Sequence, residues 1–356
     1  MRRARSSGAS GRAPSRTICG TACGGPAGGL PDESMARYVL TRLAQIPLVL
    51  LGLVTVIWLV VRLAPGDPVV ALVGDFPAPD EYVKAVREEF GLDRSLPEQF
   101  LRYVASVVRG DLGFSFVFRR PVLGLVLERA GATALLTVTA LMFASLTGLG
   151  LGILAARRPF SALDGLISGA SVMGFSVPVF WLGQLLILLF AVTLGWAPAQ
   201  GMVSLRESHE GWARLADIGL HLILPAAALS LRFLAMTARM ARASMLEALG
   251  RDYVRTAQAK GASALRVLCA HALPNAALPV LTLVGYNLGF VLAGSALVET
   301  VFGWPGMGRL LYDSVFARDF PVLLGIMIVV SLTVVLANLA TDLLYAYFDP
   351  RIRYRA

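Results

Sequence analysis

The sequence predicts an all-α polytopic membrane protein with six transmembrane helices and an extracytoplasmic helical loop after the first helix. Hydrophobic residues make up 56% of the 356 residues and charged residues only 15%, whereas an ordinary globular domain has about 25% charged residues. Six apolar stretches, each long enough to cross a bilayer, recur along the chain. Positive charges concentrate in alternate connecting segments, as they do in membrane proteins.

The first 34 residues differ in composition from the rest of the chain. Residues 1–34 are rich in Arg, Ser and Gly and have no apolar core of the kind found in a secretory signal. Such a composition predicts disorder. Met35 opens a short basic start that leads directly into the first apolar run. We interpret residues 1–34 as a disordered tail or a misassigned extension, and residues 35–356 as one transmembrane domain.

The predicted transmembrane spans are residues 43–61, 130–156, 167–194, 218–238, 275–298 and 320–341. The fourth span is the weakest because Arg232 lies inside it. A charged side chain at mid-membrane costs about 2.5–3.5 kcal/mol on insertion scales. Arg232 therefore either faces a cavity, where it meets an anionic group of a substrate or partner, or extends its side chain toward the cytoplasmic surface.

The charge of the connecting segments predicts the orientation. Six spans place both termini on the same side of the membrane, together with Arg157, Arg158 and segment 239–266. In that segment, basic residues outnumber acidic ones: Arg239, Arg242, Arg251, Arg255, Lys260 and Arg266 stand against Glu247 and Asp252. The segments on the other side mix the two signs evenly. This bias predicts that both termini are cytoplasmic and that the lipid bilayer is the protein's environment.

The outer loop, residues 63–129, contains two amphipathic segments. In residues 79–92, apolar side chains recur at helical spacing. In residues 95–110, Ser95 is a candidate helix cap and Gly110 a candidate helix stop. These segments either pack onto the membrane helices or form a docking surface.

The most basic connecting segment, residues 239–274, also has a helical pattern. A helix over residues 245–260 places Leu249, Tyr253 and Ala257 on one face. Gly261 is suited to end it, and Pro274 then marks a break before the fifth span. The pattern predicts two short amphipathic helices joined by a glycine hinge. They either dock on a cytoplasmic protein or rest on anionic lipid.

This segment resembles the cytoplasmic signature of ABC-importer permease subunits, EAA-x3-G-x9-I-x-L-P. With Gly261 aligned, the final Leu-Pro falls on Leu273 and Pro274. The Glu-Ala-Ala positions are then Arg255, Thr256 and Ala257, so only the last alanine matches. Further segments resemble the B-type permeases of the dipeptide/oligopeptide/nickel branch: RLAPGDP (62–68), RGDLGFS (109–115), SVPVFWLG (176–183), LILP (222–225), VETVFGWPGMGRLL (298–311) and DLLYAYFDPRIR (342–353).

The resemblance implies a pore-forming subunit of an ATP-driven peptide importer in the bacterial cell membrane, with nickel or glutathione as alternative substrates. The implied partners are a homologous C-type permease, two cytoplasmic ATPase subunits and an extracytoplasmic substrate-binding protein. Loop 239–274 would couple ATP hydrolysis to translocation. The implied coupling residues are Leu249, Asp252, Tyr253, Arg255, Thr256, Ala257, Gly261, Leu273 and Pro274.

The resemblance also raises questions about individual residues. Arg255 stands where other importers place a glutamate, so we expect it to meet an acidic or carbonyl partner or to pair with Asp252. Glu299, at the outer end of the fifth span, either lines an outer gate or caps a helix locally. Together with Arg232, it is a candidate for the translocation path.

Several other functions lack support in the sequence. It contains no G-x-x-x-x-G-K-[ST] phosphate loop, so the chain is not expected to hydrolyse ATP. No nucleophile–base or metal-ligand pattern indicates an enzyme or a cofactor. The net charge of +9 is explained by cytoplasmic loops and does not require nucleic acid. An ion-coupled secondary transporter remains the alternative from another class, although paired mid-membrane carboxylates and internal repeats, its usual signs, are not evident.

Overall fold

The computed structural model describes residues 31–63, 81, 84, 93–115, 117–205 and 210–348, without the side chains of residues 31–39, 42, 61–62, 289–294 and 342–348. The helices and strands are α1 (Pro31–Leu63), α2 (Leu96–Val108), β1 (Phe114–Ser115), β2 (Arg120–Pro121), α3 (Val122–Arg157), α4 (Ala162–Ser176), α5 (Val179–Leu186), α6 (Gly211–Leu249), α7 (Asp252–Ala259), α8 (Ala264–Arg266), α9 (Leu273–Val301), α10 (Met307–Phe316) and α11 (Phe320–Phe348). The two strands form one small antiparallel pair. The fold is therefore all-α apart from this pair, as predicted.

Five helical segments of the described part are long and apolar enough to cross a membrane. They lie in α1, α3, α6, the run from α8 into α9, and α11. They contain the second, fourth and sixth predicted spans and overlap the first and the fifth. The sixth crossing comes from α4 and α5, which pass the same test only as a bent pair.

The prediction of the third span as one helix, residues 167–194, is wrong. The chain breaks at Val177 and Pro178 because proline has no N–H to continue α4 and forces the residue before it into an extended conformation. Val177 has a ψ of 126°. The two helices meet at a bend of 104°, and α5 continues as a π-helical turn, Ile187–Thr193.

The bent pair and the segment that follows it, up to Ser204, nevertheless extend over a full membrane thickness. At its start, Asp164 lies 2.5 Å from the guanidinium of Arg242 on α6. Beyond its other end, the backbone N–H of Ser204 donates to Asp217 on α6 over 2.7 Å. Residues 217 and 242 are separated by about 38 Å at 1.5 Å per residue, more than the roughly 30 Å of a hydrocarbon core. Asp164 and Ser204 therefore lie near opposite ends of α6. We call the end near Arg242 the α7 end and the end near Asp217 the α10 end.

Helices α3 and α6 form the central pair of the structure. Their backbones approach closely because two glycines of α3 face α6. A Cβ atom at Gly152 would overlap Ala241 and the carbonyl of Ala238, and one at Gly148 would overlap Thr237. Small residues permit this backbone contact between membrane helices, where packing rather than water exclusion drives association. The largest core cluster extends from this pair to α9 and to Phe302 and Trp304.

The connection between α6 and α9 differs from the prediction in two respects. The predicted helix over residues 245–260 is interrupted, since α6 ends at Leu249 and α7 begins only at Asp252. The predicted break at Pro274 is absent. Instead, α8 runs through a π-helical turn, Val267–Ala272, directly into α9. Pro274 falls in the first turn of α9, where a missing N–H is tolerated.

Two further predictions concern the N terminus and the outer loop. Residues 1–30 lie outside the described residues, whereas residues 31–34 form the first turn of α1, contrary to the predicted disorder. Pro31 suits this position because its fixed φ is pre-organised for a helix.

In the outer loop, α2 lies in the second predicted amphipathic segment and meets α1 through an edge-on contact of Phe100 with Trp58. The first, residues 79–92, is described only at residues 81 and 84.

Candidate functional site

Helix α7 is anchored to the rest of the chain through one face. Val254 is fully buried and Ala257 is 9% exposed, and α7 lies against the π-helical turn that precedes α9. Asp252, Arg255 and Thr256 are exposed. The helix therefore packs one apolar stripe against its own chain and leaves a polar face free.

The continuous helix assumed for the predicted contact face is not present. The prediction placed Leu249, Tyr253 and Ala257 on one face for a partner, assuming one continuous helix. Because the helix is broken at Gly250, the register of α6 does not continue into α7. Ala257 is buried beside Val254 and is not available to a partner, whereas Leu249 belongs to the end of α6.

A small cluster of mostly alanine side chains joins the ends of α3, α6 and α9 near α7. It consists of the buried residues Ala156, Met245, Ala248, Ala272 and Ala276. Leu249 and Leu273 pack against it from the ends of α6 and α9. The structure thus brings these two predicted coupling residues to the same cluster, while Pro274 next to Leu273 is exposed.

Tyr253 connects α7 to the fifth span. The side-chain amide of Asn275 donates a hydrogen bond to the Tyr253 hydroxyl over 3.1 Å, and a second one to the carbonyl of His271 over 3.2 Å. Tyr253 is 40% exposed. This contact adds a directional link to the apolar packing of α7.

Gly261 ends the segment in a left-handed conformation, with a φ of +83°. Its backbone N–H donates to the carbonyl of Gln258 over 2.9 Å, and that of Ala262 donates to the carbonyl of Ala257 over 3.1 Å. No heavy atom lies within 4 Å of the position that a Cβ would occupy. Glycine is favoured here by the backbone conformation rather than by lack of space.

Arg255 pairs weakly with its own helix. Its Nη1 atom lies 3.6 Å from Oδ1 of Asp252, and the two side chains are 74% and 97% exposed. A second pair at the surface joins Arg251 to Glu247, and Thr256 donates to the carbonyl of Asp252 over 3.0 Å. Exposed pairs of this kind contribute about 0–1 kcal/mol, so they do not hold α7 in place.

Arg232 lies near the middle of α6 and is exposed. Its guanidinium sits 4.9 Å above the ring centroid of Phe175 in α4, a cation–π arrangement. Within the residues that the structure describes, no carboxylate lies within 4.0 Å of it. It is separated from Arg242, at the α7 end, by about 15 Å along the helix.

Glu299 is fully buried and acts as a local cap. Its carboxylate accepts a hydrogen bond from the Thr133 hydroxyl over 2.8 Å and one from the backbone N–H of Arg309 over 3.0 Å. Arg309 lies in the first turn of α10, where a negative charge is favourable. Nearby, the indole N–H of Trp304 donates to the carbonyl of Ala132 over 2.8 Å. The capping alternative is thus the arrangement observed.

The same end of the molecule contains another buried carboxylate. Asp319, next to the start of α11, accepts hydrogen bonds from the hydroxyl of Ser115 and from the backbone N–H of Val322. Burial raises the pKa of the Asp319 carboxyl above its usual value. These bonds fix the short β-strand pair to α11.

Sequence reasoning missed three residues of the α7 end. Val254 was detectable from its spacing of three residues to Ala257. Asn275 had no comparable signal. The third is Asp164, whose pairing with Arg242 joins residues 78 positions apart and so leaves no local pattern.

Comparison with known proteins identifies the family. The chain matches the model of the binding-protein-dependent transport system inner membrane component over residues 148–354, and the N-terminal model of the same component over residues 35–137. The chain belongs to this family. It is accordingly a multi-pass membrane protein and a permease component of a binding-protein-dependent transport system.

Three relatives match this permease over their entire length. The probable peptide ABC transporter permease protein y4tP of Sinorhizobium fredii is 41% identical over 320 residues, which cover 90% of this chain. The dipeptide transport system permease protein DppB of Escherichia coli K12 is 39% identical over 338 residues. The glutathione transport system permease protein GsiC of the same strain is 41% identical over 321 residues. Each alignment covers 90% of the permease.

A solved structure shares the fold. An inward-facing structure of the MetNI methionine ABC transporter aligns with 63% of the permease and 96% of its own chain, with a TM-score of 0.51 and 18% sequence identity. At this identity, the likeness concerns the fold of the helices alone.

Proposed function

We propose that this permease is a pore-forming subunit of an ATP-driven importer of peptides. The observation that carries the proposal is full-length similarity, at 41% and 39% identity, to permeases named for peptide and dipeptide transport. Glutathione is the second candidate substrate because the permease of a glutathione transport system is 41% identical. Glutathione is itself a tripeptide, so both candidates require a path for a flexible, amide-containing molecule.

Four partner subunits complete the proposed importer. They are a homologous permease, two cytoplasmic ATPase subunits and an extracytoplasmic substrate-binding protein. The dependence on a binding protein is part of the family's description. The need for separate ATPase subunits is supported by the sequence, which has no phosphate-binding loop.

The proposed orientation places the α7 end and both termini in the cytoplasm. Six crossings, with the bent pair counted as one, return the chain to the side from which it started. The α7 end carries Arg157, Arg158, Arg251, Arg255 and Lys260. The excess of positive charge at that end supports the cytoplasmic assignment.

Helix α7 is proposed as the coupling element. Its exposed face, with Asp252, Arg255 and Thr256, would contact an ATPase subunit. Its buried face and the Tyr253–Asn275 hydrogen bond would transmit movement of that subunit to α9. Leu249 and Leu273, which pack on one alanine cluster, would carry the same movement to the ends of α6 and α9.

Arg232 is proposed as a residue of the translocation path. It is exposed near the middle of a membrane helix and is paired with a ring rather than with a carboxylate. An unpaired cation at this depth suits a polar cavity that receives the carboxylate of a peptide. Glu299 is omitted from the path because its carboxylate is buried and bonded to Thr133 and Arg309.

Uptake in a strain that lacks the native importer tests the proposal. The permease is expressed with its partner subunits, and cells receive radiolabelled dipeptide, a longer peptide, glutathione or nickel. We expect uptake of labelled dipeptide that unlabelled peptides inhibit by competition. A matched strain with an inactive ATPase subunit is the control. Uptake of nickel or glutathione without any peptide uptake would contradict the assignment.

A further inference from the structure

A partly buried ion pair joins the first half of the broken third span to α6: the Arg242 side chain is 27% exposed and that of Asp164 5%. The guanidinium of Arg242 binds both oxygens of Asp164, with Nε 2.5 Å from Oδ1 and Nη2 2.8 Å from Oδ2. Asp164 is 3% exposed, and its carboxylate also accepts the backbone N–H of Phe160 over 2.8 Å. The pair therefore fixes both the direction of α4 and the turn that precedes it.

The pair adds a directional contact to a helix that the rest of the third span does not align. The break at Val177 and Pro178 and the bend of 104° prevent α5 from setting the direction of α4. Helix α4 is positioned instead by α3 and α6. Beside the ion pair, α4 packs on α6 at Gly174, where a Cβ atom would lie 3.2 Å from the Leu231 side chain.

The pair is also close to the proposed coupling helix. Arg242 lies on the last turns of α6, and α7 begins ten residues later at Asp252. In between, Met245 and Ala248 pack into the alanine cluster with Ala156 of α3. A displacement of α7 that moves the end of α6 therefore reaches Arg242 through a short, well-packed stretch of helix.

We propose that Asp164 and Arg242 are positioning residues of the transport cycle, which carry movement of the α6–α7 connection to α4 and so to the third span. A bidentate guanidinium–carboxylate pair fixes orientation as well as distance. For stability alone, an apolar pair of similar volume is often as good as a buried ion pair. The inference rests on the proposed coupling role of α7.

The test measures ATP hydrolysis and peptide uptake together, in proteoliposomes that contain the complete importer. The variants are D164N, R242K, and the exchanged pair D164R/R242D. Because R242K keeps a paired positive charge but not the bidentate geometry, it preserves the fold and isolates the orienting effect. The readout is labelled peptide accumulated per ATP hydrolysed, which a merely structural loss of protein does not change.

We expect peptide per ATP to fall about tenfold in D164N and at least about threefold in R242K, since one or both of the paired bonds are lost. The exchanged pair restores opposite charges but removes the acceptor of the Phe160 N–H, so its ratio should lie between those of D164N and the wild type. If R242K accumulates as much labelled peptide per ATP as the wild type, the inference is contradicted. This holds even if the D164N importer fails to assemble.

A fourth variant, V254D, separates this inference from the coupling role of α7. If V254D abolishes uptake while R242K transports peptide at the wild-type ratio, the inference fails and the coupling role stands. If V254D also transports normally in assembled importers, the coupling role itself fails. If R242K and V254D both accumulate less peptide per ATP than the wild type, the inference and the coupling role of α7 are both supported.

Discussion

The side-chain amide of Asn275, at the start of the fifth span, donates a hydrogen bond to the Tyr253 hydroxyl of the short helix α7 over 3.1 Å. This bond is a polar link between α7 and α9, and it joins side chains 22 positions apart. Around it, Val254 and Ala257 supply apolar packing. The proposed transmission of force from α7 to α9 thus has an identifiable bond that single substitutions can remove.

Replacement of Tyr253 by Phe keeps the ring and removes this bond. A neutral hydrogen bond contributes about 0.5–1.5 kcal/mol, so we expect uptake to fall about two- to tenfold. Asn275→Ala should have an effect of similar size. In initial-rate uptake assays, the double variant should be no worse than either single variant, because both remove the same bond. Losses that add up in the double variant would show that the two residues act independently.

Gly261 requires a left-handed backbone rather than a small side chain. Asn tolerates this conformation, whereas a β-branched residue is strained by roughly 1–3 kcal/mol. We therefore expect Gly261→Val to abolish most uptake and Gly261→Asn to retain it, with equal amounts of both proteins in the membrane. Equal uptake by the two variants would disprove the conformational requirement.

Arg255 and Asp252 form an exposed pair whose loss costs at most about 1 kcal/mol. If Arg255 contacts the ATPase, Arg255→Gln should reduce binding-protein-stimulated ATP hydrolysis and uptake, whereas Asp252→Asn should leave both nearly unchanged. Both variants remove the Arg255–Asp252 ion pair. A difference between them therefore reports a contact of Arg255 outside that pair. Equal effects of the two substitutions would limit the role of Arg255 to its pair with Asp252.

The contact between α3 and α6 provides a stability prediction with a matched control. A side chain at Gly152 meets Ala241 and the α6 backbone, whereas one at Gly150 meets nothing within 4 Å. Overpacking typically costs about 1–3 kcal/mol, so Gly152→Val should lower the thermal unfolding midpoint of the detergent-purified permease. Gly150→Val places the same residue on the other side of the same helix and should leave the midpoint unchanged. If both variants lower the unfolding midpoint by a similar amount, the cause is valine in α3 rather than the contact between α3 and α6.

The membrane spans were predictable because bilayer thickness imposes a length and an apolar composition that the chain displays directly. The bend in the third span was not predicted, although Pro178 is visible in the sequence, because an apolar run alone does not distinguish a straight span from a broken one. Likewise, Gly250 interrupts the helix that the apolar pattern extends over residues 245–260. The buried face of α7 consists of Val254 and Ala257, whereas Tyr253 is 40% exposed.

The candidate site was predictable where its requirements are local. Gly261 was identified because a helix stop in a left-handed conformation favours glycine at one position. The link between Asp164 and Arg242, and that between Tyr253 and Asn275, depend on which helices become neighbours. Neither pair leaves a spacing pattern, so only the three-dimensional arrangement reveals them. Glu299 shows the same limitation, because its alternatives were separated only by its bonds to Thr133 and Arg309.

The central claim is that ATP hydrolysis on partner subunits drives peptide movement through this permease by way of α7. The most direct measurement is the accumulation of labelled dipeptide in proteoliposomes that contain the permease, its partner permease, the ATPase subunits and the binding protein. We predict accumulation against a gradient that requires ATP and disappears in the Gly261→Val variant. Accumulation without the ATPase subunits, driven by an imposed ion gradient, would contradict the claim and indicate a secondary transporter.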